Sequence, residues 1–175
     1  EIESQSMVDY LCSCGHKRIA FITSGDEGLG RCHLNGYKRS LEKNGLEYDE
    51  KLIIRLKPAK RIYTIENGYN CTCELLKSGV DFSCIYAISD TLAVGACRAI
   101  IDSGKRVPED YCVAGADGQD IAEYYHPSIT TLKYPRVETA QQSVRTLFDM
   151  IDRKKVVKRQ ILGGTLIERE STRKL

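Results

Sequence analysis

A chain of 175 residues with 29% charged residues and a net charge of only +2 is long enough to bury a real core, and it has no cation surplus for a nucleic-acid-binding surface. Its apolar runs fall far short of the ~20 residues a membrane helix needs, and its first thirty residues carry no signal-peptide pattern. Eight cysteines invite a disulfide or metal reading, but there is no Cys-x-x-Cys pair, and Cys12/Cys14 and Cys71/Cys73 fall on expected helices where i,i+2 side chains diverge. No structural metal is therefore expected, and reduced thiols fit a cytoplasmic compartment.

Apolar runs recur roughly every thirty residues at Ile19–Ile22, Leu52–Leu56, Cys84–Ile88 and Tyr111–Ala116, separated by segments of helical spacing. Strands alternating with helices predict right-handed crossovers and a mostly parallel α/β sheet covered on both faces. The chain opens with a short helix carrying Met7, Tyr10 and Leu11, capped by Ser4 or Ser6 and ended by Gly15. After the first strand comes the loop Ser24–Gly30, then a helix with Leu34, Tyr37 and Leu41 inward and Asn44-Gly45 as its stop. Pro58 bars the second strand from continuing as a central one. The next helix, from about Thr64 to Lys77, is expected to face inward with Ile65, Tyr69, Cys73 and Leu76.

Asp90 is a natural N-cap for the helix that follows the third strand. That helix is apolar nearly all round, with Ala93, Val94, Ala96, Cys97, Ala99, Ile100 and Ile101, more than one sheet face covers, which predicts self-association there. Beyond Asp117 the rhythm changes. Ile129–Lys133 is followed by an amphipathic helix with Val137, Ala140, Val144, Leu147 and Ile151, and two short strands are expected around Gln160–Leu162 and Leu166–Glu168. The basic run Arg153–Arg159 reads as a helix C-terminus complementing its dipole, with phosphate binding as the other reading.

In open α/β sheets ligands bind outside the carboxyl ends of the strands, so the residues that follow each strand carry the functional information. Gly25-Asp26-Glu27-Gly28-Leu29-Gly30 has the position of a phosphate loop but not its spacing, and its two acids would repel phosphate. Asp90 and Asp117 both follow strands. Each has a ligand reading and a local one, a helix cap for Asp90 and an Asx turn for Asp117. His33, on the first turn of its helix, has the best positional claim to ligand contact among the three histidines, and Tyr63 either stacks on a ligand or is an ordinary tyrosine. No nucleophile elbow, metalloprotease motif or acidic metal cluster is present, so no catalytic residue is named.

Taken in order, Gly15-His16-Lys17-Arg18-Ile19-Ala20-Phe21-Ile22, Asn35-Gly36-Tyr37, Ser89-Asp90-Thr91-Leu92-Ala93-Val94-Gly95, Val107-Pro108-Glu109-Asp110, Val113–Asp117 and His126-Pro127-Ser128-Ile129-Thr130-Thr131-Leu132 resemble the lactose/galactose repressor family of bacterial transcription regulators. The resemblance spans essentially the whole chain. It implies a periplasmic-binding-protein-like fold of two lobes, mostly the second lobe here. Residues 1–14 are then a remnant of the first lobe, 15–132 the second, 133–163 again the first, and 164–175 a return to the second. It also implies a sugar or sugar-like effector, a homodimer, and operator DNA reached only through an N-terminal headpiece outside this chain, with no cofactor and no membrane.

Carried over by position, Asp117 matches the acceptor for sugar hydroxyls and Tyr63 the stacking aromatic, with Ser89 and Asp90 beside them. Tyr134 falls at a hinge position facing the ligand, and His33 stands where a basic residue is usual, with Arg31 as a possible compensation. Ala116 replaces the usual aromatic before Asp117. The expected function is effector sensing without catalysis. The rivals are a sugar-binding protein of a transport system, with the same fold, and a doubly wound enzyme.

Overall fold

The computed structural model describes residues 1–57, 61–157 and 159–175. Helix α1 (Ile2–Ser13) leads into β1 (Ile19–Thr23) and α2 (Gly28–Lys43), then a 3-10 turn at Glu50–Leu52 and β2 (Ile53–Arg55). Next come α3 (Ile65–Lys77), β3 (Cys84–Ala87), α4 (Asp90–Asp102), β4 (Cys112–Asp117) and the short α5 (Asp120–Tyr124). The chain ends with β5 (Thr130–Lys133), α6 (Arg136–Ile151) and β6 (Thr165–Ile167). The six strands form one sheet in the order β2-β1-β3-β4-β5-β6, parallel through β5, with β6 antiparallel to β5. The expected α/β parallel sheet is what the chain forms.

The sheet is covered on both sides. Helices α1 and α2 pack together, and α3, α4 and α5 form the other group. Strands β1 and β3 are buried along their whole length, as continuous apolar runs in a parallel sheet should be. Phe21 of β1 stacks on Tyr37 of α2 at 5.0 Å between ring centroids and on Tyr86 of β3 at 5.1 Å. The Tyr37 hydroxyl donates to the Ile19 carbonyl at 2.8 Å, so its polar end is satisfied inside the core. Met7, Val8 and Leu11 of α1 are fully buried in this same core, so the packing of α1 is with the sheet.

Several local expectations give way to packing. Helix α1 begins at Ile2 with no side-chain cap; Ser4 is buried within it, and Ser6 bonds back to the Ile2 carbonyl at 2.9 Å. The fully buried residues of α3 are Gly68, Thr72 and Leu75; of the four expected inward, Leu76 packs partly buried against the core, while Ile65 is exposed and Tyr69 and Cys73 are half-buried outside it. Close helix contact decides this. A side chain at Gly68 would collide with the Leu92 carbonyl, and one at Gly95 with the Ile65 carbonyl, so the backbones of α3 and α4 cross almost in contact. The crossing also covers the outer side of α4. Leu92 through Ala96, Cys97, Ala99 and Ile100 are buried within this chain, and of the apolar residues expected to drive association only Ile101 is exposed.

Ser89, not Asp90, is the N-cap of α4, and Asp90 is its first helical residue. Residues 160–162 form no strand, while the second expected short strand appears as β6. The basic run lies beyond α6, with Lys154 held by Asp149 at 3.2 Å and Asp152 at 3.0 Å. Pro58 and Lys158 lie outside the described residues. Helix α6 has the strong amphipathic pattern read from its sequence, yet none of its residues is buried.

Candidate functional site

The strand order reverses direction between β1 and β3, the point where a doubly wound sheet opens a crevice at its carboxyl edge. A cavity of about 380 Å³ lies there. Leu29 and His33 reach it from α2, Ile88 and Ser89 from the end of β3, Asp117 from the end of β4, and Tyr134 from the end of β5. Glu3 of α1 and Tyr63, just before α3, complete the wall.

Asp117 is held in a conformation that side chains rarely adopt. Its φ is +103°, followed by Gly118 at +63°, and a non-glycine residue in this region stores strain of the kind that clusters at ligand sites. Its carboxylate accepts from the Gln119 side-chain amide at 2.9 Å, and its carbonyl accepts from the Arg136 guanidinium at 2.9 Å. Burial raises the carboxyl above its ordinary value, opposed by the Gln119 bond and the charge of Arg136.

Tyr63 is fixed through its backbone and left free at its ring. Thr64 caps α3 by accepting from the Asn67 amide at 3.1 Å, and the Asn67 side chain donates to the Ile62 carbonyl at 2.9 Å. The Thr91 hydroxyl donates to the Tyr63 carbonyl at 3.1 Å. Its proton is thus committed, so Ser89, 2.7 Å away, donates to Thr91 and keeps its own lone pairs. Tyr63 remains 44% exposed and lines the cavity.

Because α2 begins at Gly28, His33 lies on its second turn rather than its first. Its Nδ1 is 2.7 Å from the Ser4 hydroxyl, which is also 3.3 Å from the Tyr86 hydroxyl. Burial lowers the imidazole pKa below its ordinary value, favouring the neutral ring. The same desolvation raises the Glu3 carboxyl and the Tyr134 phenol.

Asp90 and Arg31 do not line the cavity. Asp90 is sealed beneath it: one carboxylate oxygen accepts from the Thr131 hydroxyl at 2.6 Å, the other from the Gln119 backbone at 2.7 Å. The carboxylate thus ties the start of α4 to β5 and to the loop after β4. Burial pushes its pKa up to about 6. Arg31 is exposed on α2.

The sequence reading passed over Glu3, Leu29 and Ile88. Ile88 was within reach of the strand-end rule, and Glu3 lies four residues before the buried Met7, on the inward side of α1. Leu29 carries no signal beyond its loop. A larger cavity of about 470 Å³ lies along α6, lined by residues such as Thr139, Ser143, Leu147 and Leu162. It is a hollow against a helix with no buried residue, and it brings no titratable group together.

This geometry, a ligand cleft at the switch point of a parallel sheet, defines a class of small-molecule binding domains. The periplasmic binding protein-like domain model matches residues 8–172. The HTH-type transcriptional regulator MalR of Clostridium butyricum is 40% identical over 146 residues, 83% of this chain and 42% of that protein. A sugar-binding transcriptional regulator of the LacI family from Escherichia coli, solved with phosphate, superposes with a TM-score of 0.90 at 33% identity over 99% of this chain and 61% of its own. A CelR–cellobiose complex superposes with a TM-score of 0.86 at 30% identity, over 97% and 51% respectively. The chain belongs to the periplasmic-binding-protein-like family, in its branch of LacI-type transcriptional regulators. It spans about half the length of the curated relatives it matches. These relatives are regulators, not enzymes or transport proteins. No helix among the described residues is long and apolar enough to cross a membrane.

Proposed function

We propose that this chain is the effector-sensing part of a cytoplasmic transcriptional regulator, and that its effector is a sugar or sugar-like molecule held at the switch-point cavity without being turned over. One observation carries the reading. His33, Tyr63, Ser89, Asp117 and Tyr134, distant in sequence, line a single cavity at the strand ends. In this reading Asp117 accepts ligand hydroxyls, Ser89 offers its free lone pairs, and Tyr63 covers an apolar sugar face. Likeness to a regulator solved with cellobiose supports the choice of ligand. Residues 15–132 and 164–175 are proposed as one lobe and 133–163, including α6, as part of the other; residues 1–14, expected in that other lobe, pack through Met7, Val8 and Leu11 on the core of the first. A homodimer and operator DNA, reached through a headpiece outside this chain, are the proposed partners.

A cavity walled on one side leaves its ligand half solvated, where each hydrogen bond is worth about 0.5–1.5 kcal/mol net. Calorimetry with a panel of neutral sugars should therefore give millimolar binding for this chain, and much tighter binding once the other lobe is present. Asp117→Ala should abolish the signal. Wild-type affinity in that variant would contradict the reading. This chain alone should give no sequence-specific shift of operator DNA, because a net charge of +2 leaves little to neutralise several phosphates.

A further inference from the structure

Among the described residues, the cavity wall holds two carboxylates, an imidazole, two tyrosines and a serine, and neither lysine nor arginine. Two cations at this end of the sheet, Arg55 and Arg136, are engaged elsewhere. Arg55, at the end of β2, pairs with Asp26 at 2.8 Å and Glu50 at 2.6 Å. Arg136 is turned to the Asp117 carbonyl, and with Lys133 it lines an adjoining hollow that shares Asp117 and Tyr134 with the cavity. Two of the three long helices that start here, α2 and α4, would ordinarily attract anions at their N-termini. Both are fronted by acids: Asp26 and the N-cap Glu27 precede α2, and Asp90 opens α4. His33 spends its Nδ1 on Ser4.

We propose that this wall is a charge filter, admitting uncharged sugars, binding an amine-bearing sugar more tightly than its neutral counterpart, and rejecting sugar phosphates and sugar acids. The proposal rests on the sugar-effector reading above and narrows it to a ligand class. An anion entering the cavity gives up water and meets no lysine or arginine on the described wall, while the charge of Arg136 is already committed to Asp117. An ammonium group meets two partly desolvated carboxylates, Glu3 and Asp117, in a cavity that Tyr63 and Tyr134 also line.

The test compares glucose, glucosamine and glucose 6-phosphate on the full chain, read by NMR shifts of the His33 and Tyr134 rings. Glucosamine should bind at least about threefold more tightly than glucose, and glucose 6-phosphate at least about tenfold more weakly, the modest scale of charge effects at a partly open site. His33→Arg, which adds a fixed cation, should close or reverse the phosphate gap, and Glu3→Gln should remove the preference for the amine. Glucose 6-phosphate binding as well as glucose, glucosamine binding no better, or no cavity shift with glucosamine would each overturn the filter. Binding of a neutral sugar in the calorimetric panel would in all those cases leave the effector reading standing; a blank panel would sink both.

Discussion

The sheet body and the α6 segment carry the same amphipathic message and reach different ends. In the body, α2 presents Leu34, Tyr37 and Leu41 to the sheet and buries all of them. Helix α6 repeats the spacing with Val137, Val144, Leu147 and Ile151, and every one is more than half exposed. Apolar periodicity states which face of a helix is to be covered. It does not state whether the covering surface belongs to the same stretch of chain. The body is self-sufficient in packing, and α6 is not.

That contrast is broken most readily at the α3–α4 crossing. Gly95→Val drives a branched side chain into the Ile65 carbonyl of the facing helix, and should destabilise the chain by roughly 3 kcal/mol or more in urea unfolding. Phe21→Ala, which empties the centre of the aromatic stack, should cost about 3–5 kcal/mol. Loss below about 1 kcal/mol in either would mean that the body is not packed as described.

Asp90 sharpens the comparison through pH. Its folded pKa, about 6, lies above its ordinary value of 3.8, so the folded state binds the extra proton between these values. The stability it contributes is present at the acid end and is lost as pH rises toward 6. Against wild type, Asp90→Asn should therefore gain stability progressively from pH 4 to 6, by up to about 3 kcal/mol if its amide keeps both hydrogen bonds. Parallel pH curves for the two proteins would show that Asp90 is not held in this way. The smallest effect belongs to α6. Leu147→Ser and Phe148→Ser should change the unfolding free energy in urea by no more than about 0.5 kcal/mol, because both residues are exposed.

Much of this was legible in the sequence, for physical reasons. Strands buried on both faces write themselves as unbroken apolar runs, so Ile19–Ile22 and Cys84–Ile88 located β1 and β3. The rule that ligands gather at strand ends pointed to Asp117, which lines the cavity, and to Asp90, which does not; Ser89 came from the family resemblance. What escaped depended on contacts between distant segments. The inward face of α3 was misread because Gly68 and Thr72 face in for closeness, not for hydrophobicity. Asp90 carries a good capping residue's identity, but Thr131 and Gln119, far along the chain, claim its oxygens. The apparent apolar surplus of α4 vanished once α3 covered it, so association there has no exposed apolar surface beyond Ile101.

The location of the effector is tested most directly by amide NMR during a titration of the chain with cellobiose, maltose and ribose. Shifts should gather at His33, Tyr63, Ser89, Asp117 and Tyr134 for at least one of the three sugars and disappear in Asp117→Ala. Shifts gathered instead along Thr139–Leu162, or unchanged in Asp117→Ala, would place binding at the α6 hollow and contradict the assignment of the switch-point cavity.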